Sequence, residues 1–379
     1  MHTGRRVDAK LGAVESPPRA RSDETYAATP EVIAFLQSLG ATPEQIAEAE
    51  THSNLTGLGA DLVLTASEVF TATELAQRVG APVDRVVDIW RALGVEVPGP
   101  EVPMFSADDG GLIATLTVDL FTDVEGDELM HVIGSALSRV ADAAISFYVQ
   151  TVESDLADSG ADVLSLAQKG TGAARTALDL GSGLGALFAH LLRDGVARQR
   201  LAQADVTDRA LFRVAVGFVD LVGFTPVSHR MATRELSAFI GQFENRAFRL
   251  AAEHGGRIIK HIGDEVMFVA IDPVAGCDLA LALMTEFVDY GIQPRGGLAY
   301  GDVVARQGDY YGEVVNLASR LADLAIPGEV LADDNVRMAA RDSPLVFESA
   351  GRRQLKGFDD PVLVYSVLAD SDARKLAGE

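Results

Sequence analysis

Apolar residues recur at helical spacing through the first half of the chain. The segments at 29–40 and 42–50 each begin with Thr-Pro, a start signal for a helix, and continue in an amphipathic pattern. Longer helices are predicted from Asp127 to about Leu156 and from about Ala186 to Gln203, with Gly and Asp residues interrupting the pattern between them. The apolar stripe of the first of these helices consists of Met130, Ile133, Leu137, Val140 and Ala144.

The pattern changes at Phe212, where buried strands rich in Val, Ile and Phe begin to alternate with amphipathic helices. The predicted strands are 214–224, 257–271, 295–305 and 363–369, and the predicted helices are 228–253, 273–290 and 313–325. This order, β-α-β-(β)-α-β, predicts a ferredoxin-like sheet with its helices on one face.

The change of pattern divides the chain into three parts. Residues 1–28 are rich in charge and proline, and we expect a disordered tail. Residues 29–205 form a predicted all-α domain, and residues 206–379 form a predicted α+β domain.

Charge and composition exclude several classes of function. Lys and Arg total 32 against 55 Asp and Glu, a formal net charge of −23. A surface this acidic repels a phosphate backbone, so nucleic acid is not expected as a partner. No apolar run is long enough to span a membrane, the N-terminus lacks the apolar region of a secretory signal, and the single Cys277 excludes an internal disulfide. We therefore expect a cytoplasmic protein.

Two acidic residues stand in strongly apolar surroundings. Asp220 lies in GFVDLVGF, and Asp264 follows Gly263 in HIGDEVMF. A carboxylate in such a setting needs a cation or hydrogen bonds. On adjacent strands the two would suit Mg²⁺ or Mn²⁺, which prefer hard oxygen ligands. The alternative is a structural pairing of each Asp with an Arg.

Three motifs together resemble the catalytic motifs of class III adenylyl and guanylyl cyclases. They are FVDLVGFT (218–225), KHIGDEVMF (260–268) and DYYGEVVNLASR (309–320), in the order and spacing of that family. The resemblance covers about residues 212–368 and implies a class III nucleotidyl cyclase domain.

The resemblance implies roles for individual residues. Asp220 and Asp264 would hold two Mg²⁺ or Mn²⁺ ions per active site. Lys260 would donate to adenine N1 and Asp309 would accept from its exocyclic amine, which favours ATP over GTP because guanylyl cyclases typically carry Glu and Cys or a similar residue at these places. Asn316 would position the ribose.

The remaining implied roles concern the phosphates. Arg320, four residues after Asn316 on one helix face, would stabilise charge on the reacting α-phosphorus. Arg295 and Lys356 would contact the triphosphate. Independently of the resemblance, the turn after Gly223, with Phe224 and Thr225, offers backbone N–H groups that can hold phosphate.

The family resemblance also implies a homodimer. In class III cyclases the metal-binding aspartates come from one subunit and the adenine and transition-state residues from the other. This chain contains each set once, so two chains would form two equivalent sites.

The N-terminal half resembles the helical regulatory domain of certain actinobacterial cyclases, including pH-responsive ones. We expect it to restrain the catalytic dimer, with His52, His131 and His190 as residues that can titrate near neutral pH, although ordinary structural histidines are the commoner case. Residues 70–95 also resemble a helix-turn-helix and residues 177–185 a methyltransferase loop. For the helix-turn-helix-like segment a structural role is favoured, because Asp84 and Asp88 accompany the arginines that DNA binding would need. The methyltransferase-like segment is not followed by the alternating strands and helices that a methyltransferase would need.

Two other functions stay open from the residues alone. A diguanylate cyclase shares the ferredoxin-like core and a motif similar to HIGDEVMF, but lacks the Asn-Leu-Ala-Ser-Arg helix. A non-catalytic nucleotide-binding or transcription-regulating protein is the second alternative.

Overall fold

A computed structural model describes residues 28–65, 68–118, 124–148, 162–203, 211–224, 228–286 and 292–369. The chain divides into two compact units, Met1–Gly185 and Ala186–Glu379. Nearly all of the tail predicted at 1–28 lies outside the described residues. Within those residues, no helix has both the length and the apolar character required to cross a membrane.

Helices make up most of the described residues in the first half of the chain. Their bounds are α1 Pro30–Ser38, α2 Pro43–Thr51, α3 Leu55–Leu64, α4 Ala72–Val79, α5 Val83–Ala92, α6 Ala107–Leu116, α7 Val124–Tyr148 and α8 Val163–Ala202. Thr29 and Thr42 cap α1 and α2 through their hydroxyl groups, as the Thr-Pro signals predict.

The long α8 corrects the prediction of an interrupted segment before Ala186. Its 40 residues include Gly181, Gly183 and Gly185, and the division between the two units falls inside this helix. Each glycine costs about 1 kcal/mol of helix stability relative to Ala, but the turns on both sides are rich in the strong helix formers Ala and Leu. The methyltransferase-like stretch is therefore helical and forms no loop.

The helix-turn-helix-like segment consists of α4 and α5. Gly80 ends α4 in the left-handed conformation, with φ 72°. The two helices and α6 share an apolar core that includes Leu75, Ile89 and Ile113. The segment therefore forms part of the apolar core of the helical half.

The described residues from 211 onward form an eight-stranded sheet with four helices. The strands are β1 Leu211–Val222, β2 Gly256–Ile262, β3 Glu265–Ala270, β4 Gln293–Arg306, β5 Asp309–Tyr311, β6 Val330–Asp333, β7 Val346–Arg353 and β8 Val362–Leu368. The helices are α9 Thr233–Glu253, α10 Pro273–Glu286, α11 Glu313–Leu324 and α12 Asp334–Ala339. The strand order is β2-β3-β1-β4-β6-β8-β7, with β5 paired to β4.

The first four strands confirm the ferredoxin-like core and the α+β class. One detail of the prediction is wrong, because the apolar segment at 257–271 is a hairpin of β2 and β3 and not one strand. Gly263 and Asp264 form its turn, and Gly263 has a φ of 66°, which favours glycine.

Helices cover both faces of this core, which corrects the expectation of a single covered face. Helices α9 and α10 pack with Val219 and Leu221 of β1. Helix α11 packs on the opposite face of the same strand, against Val216 and Phe218. It approaches the sheet closely because Gly297 of β4 has no side chain: a Cβ there would lie 2.2 Å from the backbone nitrogen of Ala322.

Candidate active site

Asp220 lies near the end of β1, between β3 and β4. Its Cα is paired with that of Arg295 on β4 and, on the other side, with that of Glu265 on β3. Arg295 donates to Asp220 Oδ2 from Nε at 3.0 Å and from a terminal nitrogen at 2.9 Å. Asp220 therefore has an arginine partner, as expected from the alternative in which the aspartate is paired for a structural reason.

Asp264 lies in the β2–β3 turn, beside Asp220. Its backbone carbonyl accepts a hydrogen bond from Leu221 N at 3.2 Å, which holds the turn against the end of β1. Burial raises the pKa of Asp264, and repulsion from the charge of Asp220 adds to the effect. The structure thus brings together the two aspartates that the motifs identify.

Glu265 is a third acidic residue at this end of the sheet, and no sequence signal assigned it a role. Burial, with the negative charges of Asp220, Asp323 and Asp264, raises its pKa to about 7. The positive charge of Arg295 offsets only part of this shift.

The donor chemistry fits one or more divalent cations completed by phosphate oxygens. Asp220 and Asp264 offer only hard oxygen ligands, which Mg²⁺ and Mn²⁺ prefer. Across the residues that the structure describes, no three His, Cys, Asp or Glu side chains are arranged as a complete metal cage. Metal ions of this kind usually keep waters and take further ligands from substrate phosphates.

Lys260 on β2 and Asp309 at the start of β5 form an ion pair between Nζ and Oδ2. Tyr310 N also donates to Asp309 Oδ1 at 2.8 Å, which fixes the direction of the carboxylate. Both charged groups remain partly exposed, so they can reach a ligand. The two residues predicted to read the base therefore lie side by side although 49 positions separate them in the chain.

Asn316 and Arg320 lie on α11 and line an open cleft of about 850 Å³. Lys356, in the connection between β7 and β8, lines the same cleft. Asp359 and Asp360 complete its rim on that side. The cleft thus combines an amide, a guanidinium and an ammonium group with several carboxylates, and the first three are groups that can donate to hydroxyl and phosphate oxygens.

The turn after β1 is only partly described. Gly223 has a φ of 87°, and the Phe224 ring stacks on Phe239 with centroids 5.3 Å apart. This ring packs against the apolar core, so its contact there is structural. Thr225 lies outside the described residues.

Comparison with known proteins identifies the family to which the chain is similar. Residues 207–369 match the family described as the adenylate and guanylate cyclase catalytic domain. The uncharacterized protein Rv2212 of Mycobacterium tuberculosis is 31% identical, over 99% of this chain and 97% of that protein. An adenylate cyclase of Glutamicibacter nicotianae is 31% identical, over 77% of this chain and 77% of that enzyme.

The chain belongs to the adenylate and guanylate cyclase family. A further family member, the pH-sensitive adenylate cyclase MT1302 of Mycobacterium tuberculosis, is 28% identical over 95% of this chain and 91% of its own length. Among solved structures, the adenylyl cyclase CyaB of P. aeruginosa is 26% identical, with a TM-score of 0.38, over 42% of this chain and 94% of that chain.

Asp323 is a cyclase-domain residue that the motifs did not identify. It lies on α11 three residues after Arg320, contacts that arginine and also contacts Arg295. Its signal in the sequence is weak, because an acidic residue three positions from an arginine is common on helix surfaces.

Proposed function

We propose that this chain is an adenylate cyclase that converts ATP to 3′,5′-cyclic AMP and pyrophosphate. The observation that carries the proposal is the Lys260–Asp309 pair, since an ammonium donor beside a carboxylate acceptor matches adenine N1 and N6. Guanine presents an N–H and a carbonyl oxygen at these positions, so the same pair would oppose GTP. Relatives named adenylate cyclase support this choice of base.

The aspartates and the cleft residues each have a step to perform in this reaction. Asp220 and Asp264 would hold divalent ions, which supply positive charge to the triphosphate and lower the pKa of the attacking 3′-hydroxyl. Asn316 would orient the ribose. Arg320 and Lys356 would offset negative charge on the reacting and leaving phosphates, and these interactions strengthen as that charge develops.

The active form in this proposal is a homodimer with two shared sites. One chain supplies Asp220 and Asp264, and its partner supplies Lys260, Asp309 and the cleft on α11. The two sets occur once in the chain, and a twofold axis would generate two equivalent sites.

Exposed apolar side chains on α8 provide separate support for a second copy. Leu187, Phe188, Leu191 and Leu192 are each more than half exposed, although they lie within one helix shortly before β1. Contiguous apolar surface of this kind is typical of an interface between subunits. Specific activity should therefore fall when the chain is diluted below its dimer dissociation constant, and should stay constant for an enzyme that works as a monomer.

The substrate proposal is tested by incubating the chain with ATP or GTP and Mn²⁺ and identifying the products. We expect cyclic AMP and pyrophosphate in equal amounts from ATP, and little product from GTP. A double variant, Lys260→Glu with Asp309→Cys, should shift kcat/KM toward GTP, while the exposed Asp342→Asn serves as a control away from the site. Formation of cyclic di-GMP from GTP would support a diguanylate cyclase. Nucleotide binding without turnover would support a non-catalytic nucleotide-binding protein.

We also propose that the helical half regulates the cyclase, with pH as the signal. The pH-sensitive relative aligns with 95% of this chain, which includes the helical half. All three histidines are exposed: His52 caps the C-terminal end of α2, and His131 and His190 lie on α7 and α8, with His190 3.6 Å from Asp194. A fragment starting near residue 206 should be more active than the full chain at one end of the pH range, and equal activity at every pH would contradict autoinhibition.

A further inference from the structure

Asp323 lies one residue before the end of α11 and contacts two arginines at two different atoms. Its Oδ2 accepts a hydrogen bond from Arg320 Nη1 at 2.8 Å. Its backbone carbonyl accepts a hydrogen bond from Arg295 Nη1 at 2.7 Å. One residue therefore connects the arginine on the cleft with the arginine that binds Asp220.

The position of Asp323 explains both contacts. The last four carbonyls of a helix have no partner within the helix, and they carry the negative end of its dipole. Arg295 satisfies one of these carbonyls from β4. The side chain of Asp323, three residues after Arg320, reaches that arginine on the same helix face.

We propose that Asp323 is a positioning residue for Arg320. Its carboxylate restrains a flexible guanidinium that is 39% exposed, and its carbonyl, through Arg295, fixes the end of α11 beside β1. This inference rests on the proposed function, because Arg320 must act on the α-phosphorus. The shared-site dimer has two active sites, and each chain contributes Arg320 to one and Asp220 to the other. The carboxylate of Asp323 acts in the site that receives Arg320 from the same chain.

The first test is Asp323→Asn in the full chain. Asn keeps the backbone carbonyl and the size of the side chain but lacks the charge that orients Arg320. We expect kcat to fall about tenfold while KM for ATP changes less than about twofold, because Arg320 interacts most strongly in the transition state. Affinity for 3′-deoxy-ATP, which cannot react, should not change, and Asp323→Glu should recover part of kcat.

The control for this test is Asp342→Asn, which removes an exposed acid paired with Arg341. It should leave kcat and thermal stability as they are. Unchanged kcat in Asp323→Asn, or a rise in KM with kcat retained, would overturn the positioning role.

The second test uses mixed dimers of Asp220→Ala and Asn316→Ala chains, which contain one intact site. That site takes its Arg320 from the Asp220→Ala chain. Asp323→Asn in that chain should cost about tenfold, and the same substitution in the Asn316→Ala chain should cost far less. Equal losses of activity with Asp323→Asn in either chain would overturn this inference alone. If the mixture without Asp323→Asn forms dimers but is inactive, both the shared site and this inference are overturned.

Discussion

Gly297 allows α11 to lie directly on the sheet, so Gly297→Ala tests how the catalytic helix is placed. A Cβ at this position would lie 2.2 Å from Ala322 N, 2.4 Å from Ala318 O and 2.7 Å from Leu321 C. All three are backbone atoms of α11, and they cannot rotate away as a side chain would. Because real Cβ contacts are essentially never below 3.0 Å, the helix must move by about 1 Å.

This displacement should affect stability and activity together. Overpacking of a well-packed contact costs about 1–3 kcal/mol of folding free energy. Asn316 and Arg320 move with the helix, and a misplacement of about 1 Å can reduce the rate about 100-fold. Urea unfolding and the initial rate of cyclic AMP formation measure the two effects.

Gly296→Ala is the matched control on the same strand. Its Cβ would point to the other face, 3.3 Å from Phe218 O and Val219 Cγ2 and 3.5 Å from Met284 Cε. Small shifts accommodate these contacts, so we expect a loss below about 1 kcal/mol and activity within about threefold. A Gly297→Ala chain with normal stability and rate, or a control that is equally impaired, would refute the proposed placement of α11.

Two further predictions concern buried ionisable groups. Burial raises the pKa of Asp333 to about 6, so this carboxyl contributes stability that is complete below its ordinary pKa of 3.8 and is lost as pH rises through about 6. Between pH 4 and 7, the unfolding free energy of Asp333→Asn measured in urea should therefore rise relative to that of the parent chain by up to about 3 kcal/mol. Parallel pH profiles for the two chains would contradict this. Asn retains the Oδ1 that accepts from Val336 N and Tyr300 N. Burial also raises the pKa of Cys277 to about 12, so a thiol reagent at pH 8 should label the chain only after denaturation, and rapid labelling of the folded chain would show that α10 is not packed as described.

The motifs identified candidate site residues but did not predict the geometry that holds them. Apolar flanks identified Asp220 and Asp264 because a charge among Val, Leu and Phe residues requires a specific partner. The sequence did not reveal that Asp264 lies in a turn, since 257–271 is apolar on both sides of Gly263 and contains no proline. β2 ends before Gly263 because this glycine adopts a left-handed backbone conformation, which the apolar pattern does not predict.

Contacts between elements were also beyond sequence reasoning. The amphipathic pattern predicted α11 but could not indicate which face of the sheet it covers, because that depends on the missing side chain of Gly297. The roles of Asp323 and Glu265 arise from neighbours far away in the chain, such as Arg295 and Asp220. Periodicity and spacing carry no information on such contacts.

The most direct test of the shared active site is the activity of an equal mixture of Asp220→Ala and Asn316→Ala chains. Random pairing makes about half of the dimers mixed, each with one intact site of two, so the mixture should show about a quarter of the parent activity although each chain alone is inactive. A mixture that forms dimers yet produces no cyclic AMP would contradict catalysis by residues from two chains.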